Sequence, residues 1–376
     1  MEYNLDAKVY TPEKAGPMSI MDMLAYFEQM GAMRVSDLHI KVGVPPTYRI
    51  DGNLVKLKGP PVTEEMAEQL IHPLLTQQNI EKLKDRYSID CSYRFGSLQF
   101  RINVFRDNDG IAAAIRALAL EIPPVEQIGF PNDVWRDIID RKHGLVLLTG
   151  ITGAGKSTTI ASLLSRISQN RACRIITVED PIEYILPQKY SIVSQREVGK
   201  DVGSFREGLR EMMREDPDII FVGEMRDPET IYMTLMAAET GHLVFSTLHT
   251  RDTTGTITRI LDYFPEGQQA EIRNQLSLGL AYVISQKLLP RKDGKGRIVA
   301  MEILNNNYAV ANLIRTGKIE QIYTQLQTKT QDAPDQKMIT LESHIARLVK
   351  EGKVDILEAK KWVNNLKAFM DCMQRD

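Results

Sequence analysis

Residues 150–157 read Gly150-Ile151-Thr152-Gly153-Ala154-Gly155-Lys156-Ser157 and fit the spacing G-x-x-x-x-G-K-[ST]. Each residue type suits the binding of a polyphosphate. Glycines let the backbone wrap closely, with its N–H groups pointing inward. Lys156 can reach the β- and γ-phosphates, and the Ser157 hydroxyl can hold Mg²⁺. Gly150, Thr152, Gly153, Ala154, Gly155, Lys156, Ser157 and Thr158 are therefore the candidate ligands of ATP. Further on, Asp218-Ile219-Ile220-Phe221-Val222-Gly223-Glu224 is an apolar run that ends in an acid. By itself Glu224 is an acid exposed at a strand end. Behind a glycine loop it faces the Mg²⁺ end of the phosphates, through water. Thr177-Val178-Glu179-Asp180-Pro181 ends on two carboxylates. Nucleotide hydrolysis needs one of them to orient or deprotonate the attacking water. Glu179 is favoured, while Asp180 ahead of Pro181 also suits a helix cap.

Two histidines and three arginines complete the set. Ala238-Glu239-Thr240-Gly241-His242 and Ser246-Thr247-Leu248-His249-Thr250 flank one short apolar strand. A polar strand end beside the loop can sense a γ-phosphate, which makes His242 a catalytic candidate and His249 a nucleotide-binding one. Their spacing is poor for a metal pair, and a lone histidine commonly serves as a core or cap residue. Arg101, Arg106 and Arg116 lie far upstream. They read either as solvated sheet residues or as arginine fingers that neutralise transition-state charge.

The elements that must position these groups follow from the patterning. The apolar run 144–149 suits a strand buried on both faces, and 158–165 reads as a helix with Ile160, Leu163 and Leu164 on one side. Strand, glycine loop and helix are the context the motif requires, since the helix N-terminus adds partial positive charge. Strands at 145–148, 174–178, 219–222 and 243–247 alternate with helices, which indicates a mostly parallel α/β sheet over 127–290. Upstream, Ser19 suits the N-cap of a helix carrying Ile20, Met23, Leu24 and Phe27. Alternation at 36–42, a hairpin about Asp51-Gly52, a helix from Thr63, and strands at 99–105 and 111–118 give a small α+β domain over 19–120. Residues 1–18 read as a loose arm and 121–126, with Pro123 and Pro124, as a stiff linker. Residues 291–376 read as a last strand followed by helices that close on Gly317 and Gly352.

Bulk composition limits the alternatives. A length of 376 residues suits two domains, and a net charge of −2 gives no basic field for nucleic acid. Cys91, Cys173 and Cys372 are far apart, which disfavours a zinc ribbon or disulfide scaffold and fits a reducing cytosol. No window of 18 residues is apolar throughout and no signal-peptide pattern opens the chain, so membrane association is expected only through a partner.

With these blocks in hand, the chain resembles bacterial type IV pilus retraction motors of the type II/IV secretion ATPase superfamily over about 19–352. Ser36-Asp37-Leu38-His39, Arg49-Ile50-Asp51-Gly52 and Arg101-Ile102-Asn103-Val104-Phe105 carry the resemblance upstream. The glycine loop supplies Walker A. Glu179-Asp180-Pro181-Ile182-Glu183-Tyr184 supplies the Asp box, Arg214 to Asp227 Walker B, and 237–250 the His box; Gln195-Arg196-Glu197-Val198 matches as well. The resemblance implies a PAS-like domain joined to a RecA-like P-loop ATPase domain, assembled as a homohexamer, with a helical C-terminal segment. It implies ATP and Mg²⁺ as ligands, with ATP between the two domains. Glu179 is then the catalytic glutamate, Glu224 the Walker B acid, and Arg101 and Arg116 the arginines that complete the site; Arg106 falls where the pattern is less regular. The partner it implies is a pilus platform protein of the inner membrane, reached from the cytoplasmic face without insertion, and the activity is pilus retraction in twitching motility. One motif departs from the family, in that Ala311 stands where an arginine is usual in Ala309-Val310-Ala311-Asn312-Leu313-Ile314-Arg315. That segment is tied to retraction rather than hydrolysis.

Other functions fit less well. An accessory retraction paralogue shares the nucleotide site but tends to have less regular Walker B surroundings. A pilus-extension or type II secretion ATPase usually adds a longer N-terminal region and a zinc-binding cysteine cluster. A nucleic-acid motor needs a basic, aromatic-studded groove, whereas this chain is nearly neutral with two tryptophans. Intact Lys156, Glu179 and Glu224 speak against a scaffold that binds nucleotide without turnover.

Overall fold

Apolar residues alternate along the first third of the chain, and alternation builds a sheet with one face packed on a core. The structure, a computed structural model, describes residues 4–30, 34–50, 53–96, 98–118, 122–294, 296–332 and 337–374. Contacts divide the chain into two compact units, Met1–Glu121 with Pro181–Ile185, and Ile122–Asp180 with Leu186–Asp376.

In the first unit the strands are β1 (Val35–Lys41), β2 (Thr47–Ile50), β3 (Asn53–Lys56), β4 (Ser88–Phe95), β5 (Leu98–Asp107) and β6 (Gly110–Leu118). They form one sheet in the order β3-β2-β1-β6-β5-β4, and every pair is antiparallel. Three helices accompany it, α1 (Ile20–Met30), α2 (Glu64–Ile71) and α3 (Gln77–Asp85). Ser19 caps α1 as expected. Its hydroxyl accepts from the Asp22 N–H at 3.2 Å, and the Asp22 carboxylate accepts from the Ser19 N–H at 2.6 Å. Phe27 of α1 meets Phe100 and Tyr48 edge-on, with centroids 5.1 and 5.7 Å apart. β2 and β3 pair as the expected hairpin, Ile50 opposite Asn53. Its turn residues Asp51 and Gly52 lie outside the described residues, as does Glu121 of the expected linker.

The loose arm is corrected. Tyr10 is fully buried in the core of this unit, donates its hydroxyl to the Pro60 carbonyl at 3.1 Å and forms a bridge with Met18. Leu5, Val9 and Met18 pack against the same core, and with the Tyr10 ring they bury enough apolar area to hold the segment down.

In the second unit the strands are β7 (Gly144–Thr149), β8 (Arg174–Glu179), β9 (Ile192–Glu197), β10 (Ile219–Val222), β11 (Leu243–Leu248), β12 (Leu280–Pro290) and β13 (Arg297–Asn305). Their order is β13-β12-β7-β11-β10-β8-β9, parallel except for the antiparallel β12–β13 pair. The helices are α4 (Val134–Asp140), α5 (Lys156–Asn170), α6 (Phe205–Met212), α7 (Pro228–Glu239), α8 (Thr253–Asp262), α9 (Glu266–Gly279), α10 (Tyr308–Arg315), α11 (Ile322–Asp332), α12 (Leu341–Lys350), α13 (Ile356–Trp362) and α14 (Leu366–Gln374). Every residue of β7 and β11 is buried, as strands covered on both faces must be. The boundary expected after residue 290 cuts a hairpin, because β13 pairs with β12 through Pro290 opposite Arg297 and belongs to the core sheet. The helices that follow rest on this edge. Leu289 and Ala300 share a cluster with Ile345 of α12 and Phe369 of α14.

Candidate active site

The site grows from the end of β7. Gly150, Gly153 and Gly155 all have positive φ, +144°, +79° and +87°. At Gly150 a Cβ would also lie 2.5 Å from the Gln286 carbonyl oxygen, so only glycine fits there. Gly155 is the left-handed residue that opens α5, a helix that starts two residues earlier and ends five later than its sequence pattern suggested (156–170 against 158–165). Ile151, Thr152 and Gly153 are exposed at the loop tip, while Ala154 is buried. Lys156 is buried as well. Its ammonium donates to the carbonyls of Gly150 at 2.8 Å and Ile151 at 3.2 Å, so the loop itself solvates the charge. A phosphate entering the loop exchanges those carbonyl contacts for a charge-assisted one. Ser157 and Thr158 stand in the first turn of α5, half-buried, where helix N–H groups are unpaired by geometry.

β8 and β10 bring the two acids to the same edge of the sheet. Val178 lies opposite Val222, and β7, β11, β10 and β8 all end there in parallel. Glu179 is buried, and its Oε1 accepts from the Thr177 hydroxyl at 2.6 Å and from the Gln195 amide at 3.1 Å. Both donors fix the carboxylate without neutralising it, which suits a base. Asp180 beside it is exposed. Glu224 follows β10 through Gly223, whose N–H donates to the Val178 carbonyl at 2.8 Å. One Glu224 oxygen takes a hydrogen bond from Arg226 at 2.8 Å, and the other lies 3.3 Å from His249 Nε2. β11 braces this loop, with the Thr247 hydroxyl on the Gly223 carbonyl at 2.7 Å and the Ser246 hydroxyl on the Val222 carbonyl at 2.8 Å.

The structure thus unites Glu224 and His249 and separates His242 from them. His242 precedes β11, its carbonyl bonded to the N–H of Gly144 at the start of β7, and its Nδ1 pairs with the Ala237 carbonyl at 3.0 Å. The phosphate loop leaves the other end of β7, roughly 20 Å away at 3.3 Å per strand residue. His242 is a cap residue in this chain, and its catalytic assignment is corrected on that ground.

In the first unit, Arg101 on β5 and Arg116 on β6 lie directly opposite one another. Arg116 pairs with the buried Asp37 carboxylate at 2.7 Å, and Arg49 approaches the same carboxylate at 3.6 Å. Burial pushes the Asp37 carboxyl up, but the Ser36 hydroxyl and Arg116 outweigh it and hold it below the usual range. Arg101 is 3.5 Å from Asp90, and Arg106 is exposed on β5.

Sequence reasoning missed Thr177, Gln195 and Gln286. Gln195 sat in a motif it had quoted without a role. Gln286 gave no local signal, since its partner is on the glycine loop.

A parallel sheet, a left-handed glycine loop at its carboxyl edge and two acids on neighbouring strand ends define a P-loop nucleotide-binding protein. Residues 19–293 match the model of the type II/IV secretion system protein family, and the chain belongs to that family. It is 40% identical over 345 residues to the type IV pilus retraction ATPase PilT of Pseudomonas aeruginosa, covering 92% of this chain and 98% of that protein. It is 38% identical to a twitching motility protein of Neisseria gonorrhoeae, covering 85% of this chain and 84% of the relative. Among solved structures it resembles the pilus retraction motor PilT with bound ADP, with a TM-score of 0.84 and 42% identity over 94% of this chain and 99% of that one.

Proposed function

We propose that this chain is an ATP-hydrolysing motor that powers type IV pilus retraction, working as a homohexamer. One observation carries the hydrolytic part. Glu179 is a buried carboxylate oriented by two neutral donors at the edge of the sheet where the phosphate loop lies. Water activation calls for such a group, which supports hydrolysis over binding alone. Likeness to PilT along nearly the whole of both chains supports the retraction part.

In this reading the loop amides, Lys156 and the N-terminus of α5 hold the triphosphate, with Thr152, Ser157, Thr158 and His249 lining it. Glu179 accepts the proton of the attacking water. Arg101 and Arg116 neutralise charge that develops on the transferred phosphoryl group. Ser157 and Glu224 are hard oxygen donors, which suits Mg²⁺, an ion that keeps most of its ligands as water and phosphate. Bound there, the ion would neutralise phosphate charge, with Glu224 reaching it through water.

The partner in this reading is a platform protein of the inner membrane, met at the cytoplasmic face. No helix among the described residues is long and apolar enough to cross a membrane. The Ala311 segment forms α10, with Arg315 exposed on it. Glu179→Gln tests the hydrolytic claim. ADP binding should hold within about threefold while kcat falls by roughly 10² or more. An unchanged kcat would remove Glu179 as the base.

A further inference from the structure

The glycine loop does not hold its shape alone. It rests on one side chain of the adjacent strand, Gln286 of β12. Its amide Nε2 donates to the Ala154 carbonyl at 2.6 Å. The same nitrogen lies 3.2 Å from where a Cβ of Gly155 would be, and the Gln286 carbonyl oxygen lies 2.5 Å from the equivalent point on Gly150. One residue therefore abuts the loop at both its start and its end. Gln286 is 1% exposed, and its Oε1 has no hydrogen-bond partner among the described residues. A buried acceptor left unpaired is costly, so the side chain is kept in place by what its donor does. The strand around it is firmly anchored. β12 pairs with β7 on one side and β13 on the other. Ser285 donates to the Arg251 carbonyl at 3.1 Å, and Lys287 donates to the Trp362 carbonyl at 2.7 Å.

We propose that Gln286 is a positioning residue for the nucleotide, holding the glycine loop in its phosphate-accepting shape through the Ala154 carbonyl. Its contact is with the loop backbone, through the Ala154 carbonyl. Without its amide the loop must be ordered by the ligand, and that ordering is taken from affinity. The effect belongs in nucleotide binding more than in the chemical step. This assignment rests on the nucleotide-binding reading of the loop.

ADP titration calorimetry on the full chain and two variants tests it. Gln286→Leu keeps the volume and removes the donor, and should weaken ADP binding about tenfold while kcat at saturating ATP changes less than about threefold. Gln286→Glu places a carboxylate against the Ala154 carbonyl and should bind more weakly still at pH 8. Near pH 5.5 its carboxyl protonates and regains an O–H donor, so its affinity relative to the parent at the same pH should recover severalfold. A purely structural defect would not follow pH in this way. If the leucine variant fails to fold, the glutamate variant decides. The assignment falls if a folded leucine variant binds ADP within twofold of the parent, or if the glutamate variant's loss is independent of pH. ADP binding by the parent is the control, and its absence would overturn the nucleotide reading of the loop instead.

Discussion

At the scale of single residues, the site separates groups that face the phosphates from groups that aim them. Thr177 and Gln195 both aim Glu179, and of the two the Thr177 hydroxyl is at a distance, 2.6 Å, typical of a strong bond to a carboxylate. Thr177→Val keeps the shape of a buried strand residue and removes that donor. Expected is a fall in kcat of about tenfold with KM within threefold, because the base is misdirected and the loop is untouched. An unchanged kcat would remove Thr177 as an orienting group. Arg101 is exposed and its ion pair with Asp90 is long at 3.5 Å, so its removal costs the fold little. Arg101→Ala should melt within about 2 °C of the parent, a shift that corresponds to less than 1 kcal/mol, yet lose at least tenfold in kcat. A parental rate would make it a bystander. Sequence reading finds the groups that carry chemistry, because glycine, lysine and acid types at fixed spacing leave few alternatives. It does not find what aims them, since Gln195 meets Glu179 only through the β8–β9 pairing and Thr177 reads as one more residue of an apolar strand.

At the scale of elements, strands with a clean pattern are legible and those defined by neighbours are not. β7, β8, β10 and β11 stand out as short apolar runs. β9 is half polar and exists because β8 has a free edge. β12 mixes Ser285, Gln286 and Lys287 into an apolar strand, and each of the three serves a contact distant in sequence. The seam between β13 and α12 makes a prediction of its own. Burial, with Asp252 and Glu342 nearby, pushes the Glu302 carboxyl up to about 7 despite hydrogen bonds from Thr253. Burial, with Arg347 adding to it, pushes His344 down to about 4; its Nδ1 accepts from the Met301 N–H at 2.9 Å. A carboxyl with a raised folded pKa binds more protons folded than unfolded, so its contribution to stability falls as pH rises from about 4.5 to 7. The histidine, with a depressed folded pKa, works oppositely and loses stability as pH falls from about 6.5 to 4. The two offset each other where the windows overlap. Glu302→Gln removes one side of the balance, so the melting temperature of the variant minus that of the parent should climb between pH 5 and 7 and level off above. A difference constant across that range would mean that Glu302 stays ionised when folded.

At the scale of the whole molecule, an antiparallel α+β unit precedes a parallel P-loop unit, and that order was legible because periodicity changes at the prolines near residue 123. The burial of Tyr10 and the membership of β13 in the core sheet were not, because each depends on packing across long stretches of chain. Likeness to retraction motors reaches both units, and the segment read from sequence as departing from them, with Ala311, forms α10. Turnover and retraction are therefore separate questions, and one experiment addresses both. Pilus retraction speed should be measured in cells that lack their own retraction ATPase and carry either this chain or its Lys156→Ala variant, alongside ATP hydrolysis by the two purified proteins. Retraction restored by the parent and abolished, together with hydrolysis, by Lys156→Ala is the expected result. Vigorous hydrolysis by a parent that restores no retraction would contradict the assignment of this chain as the retraction motor.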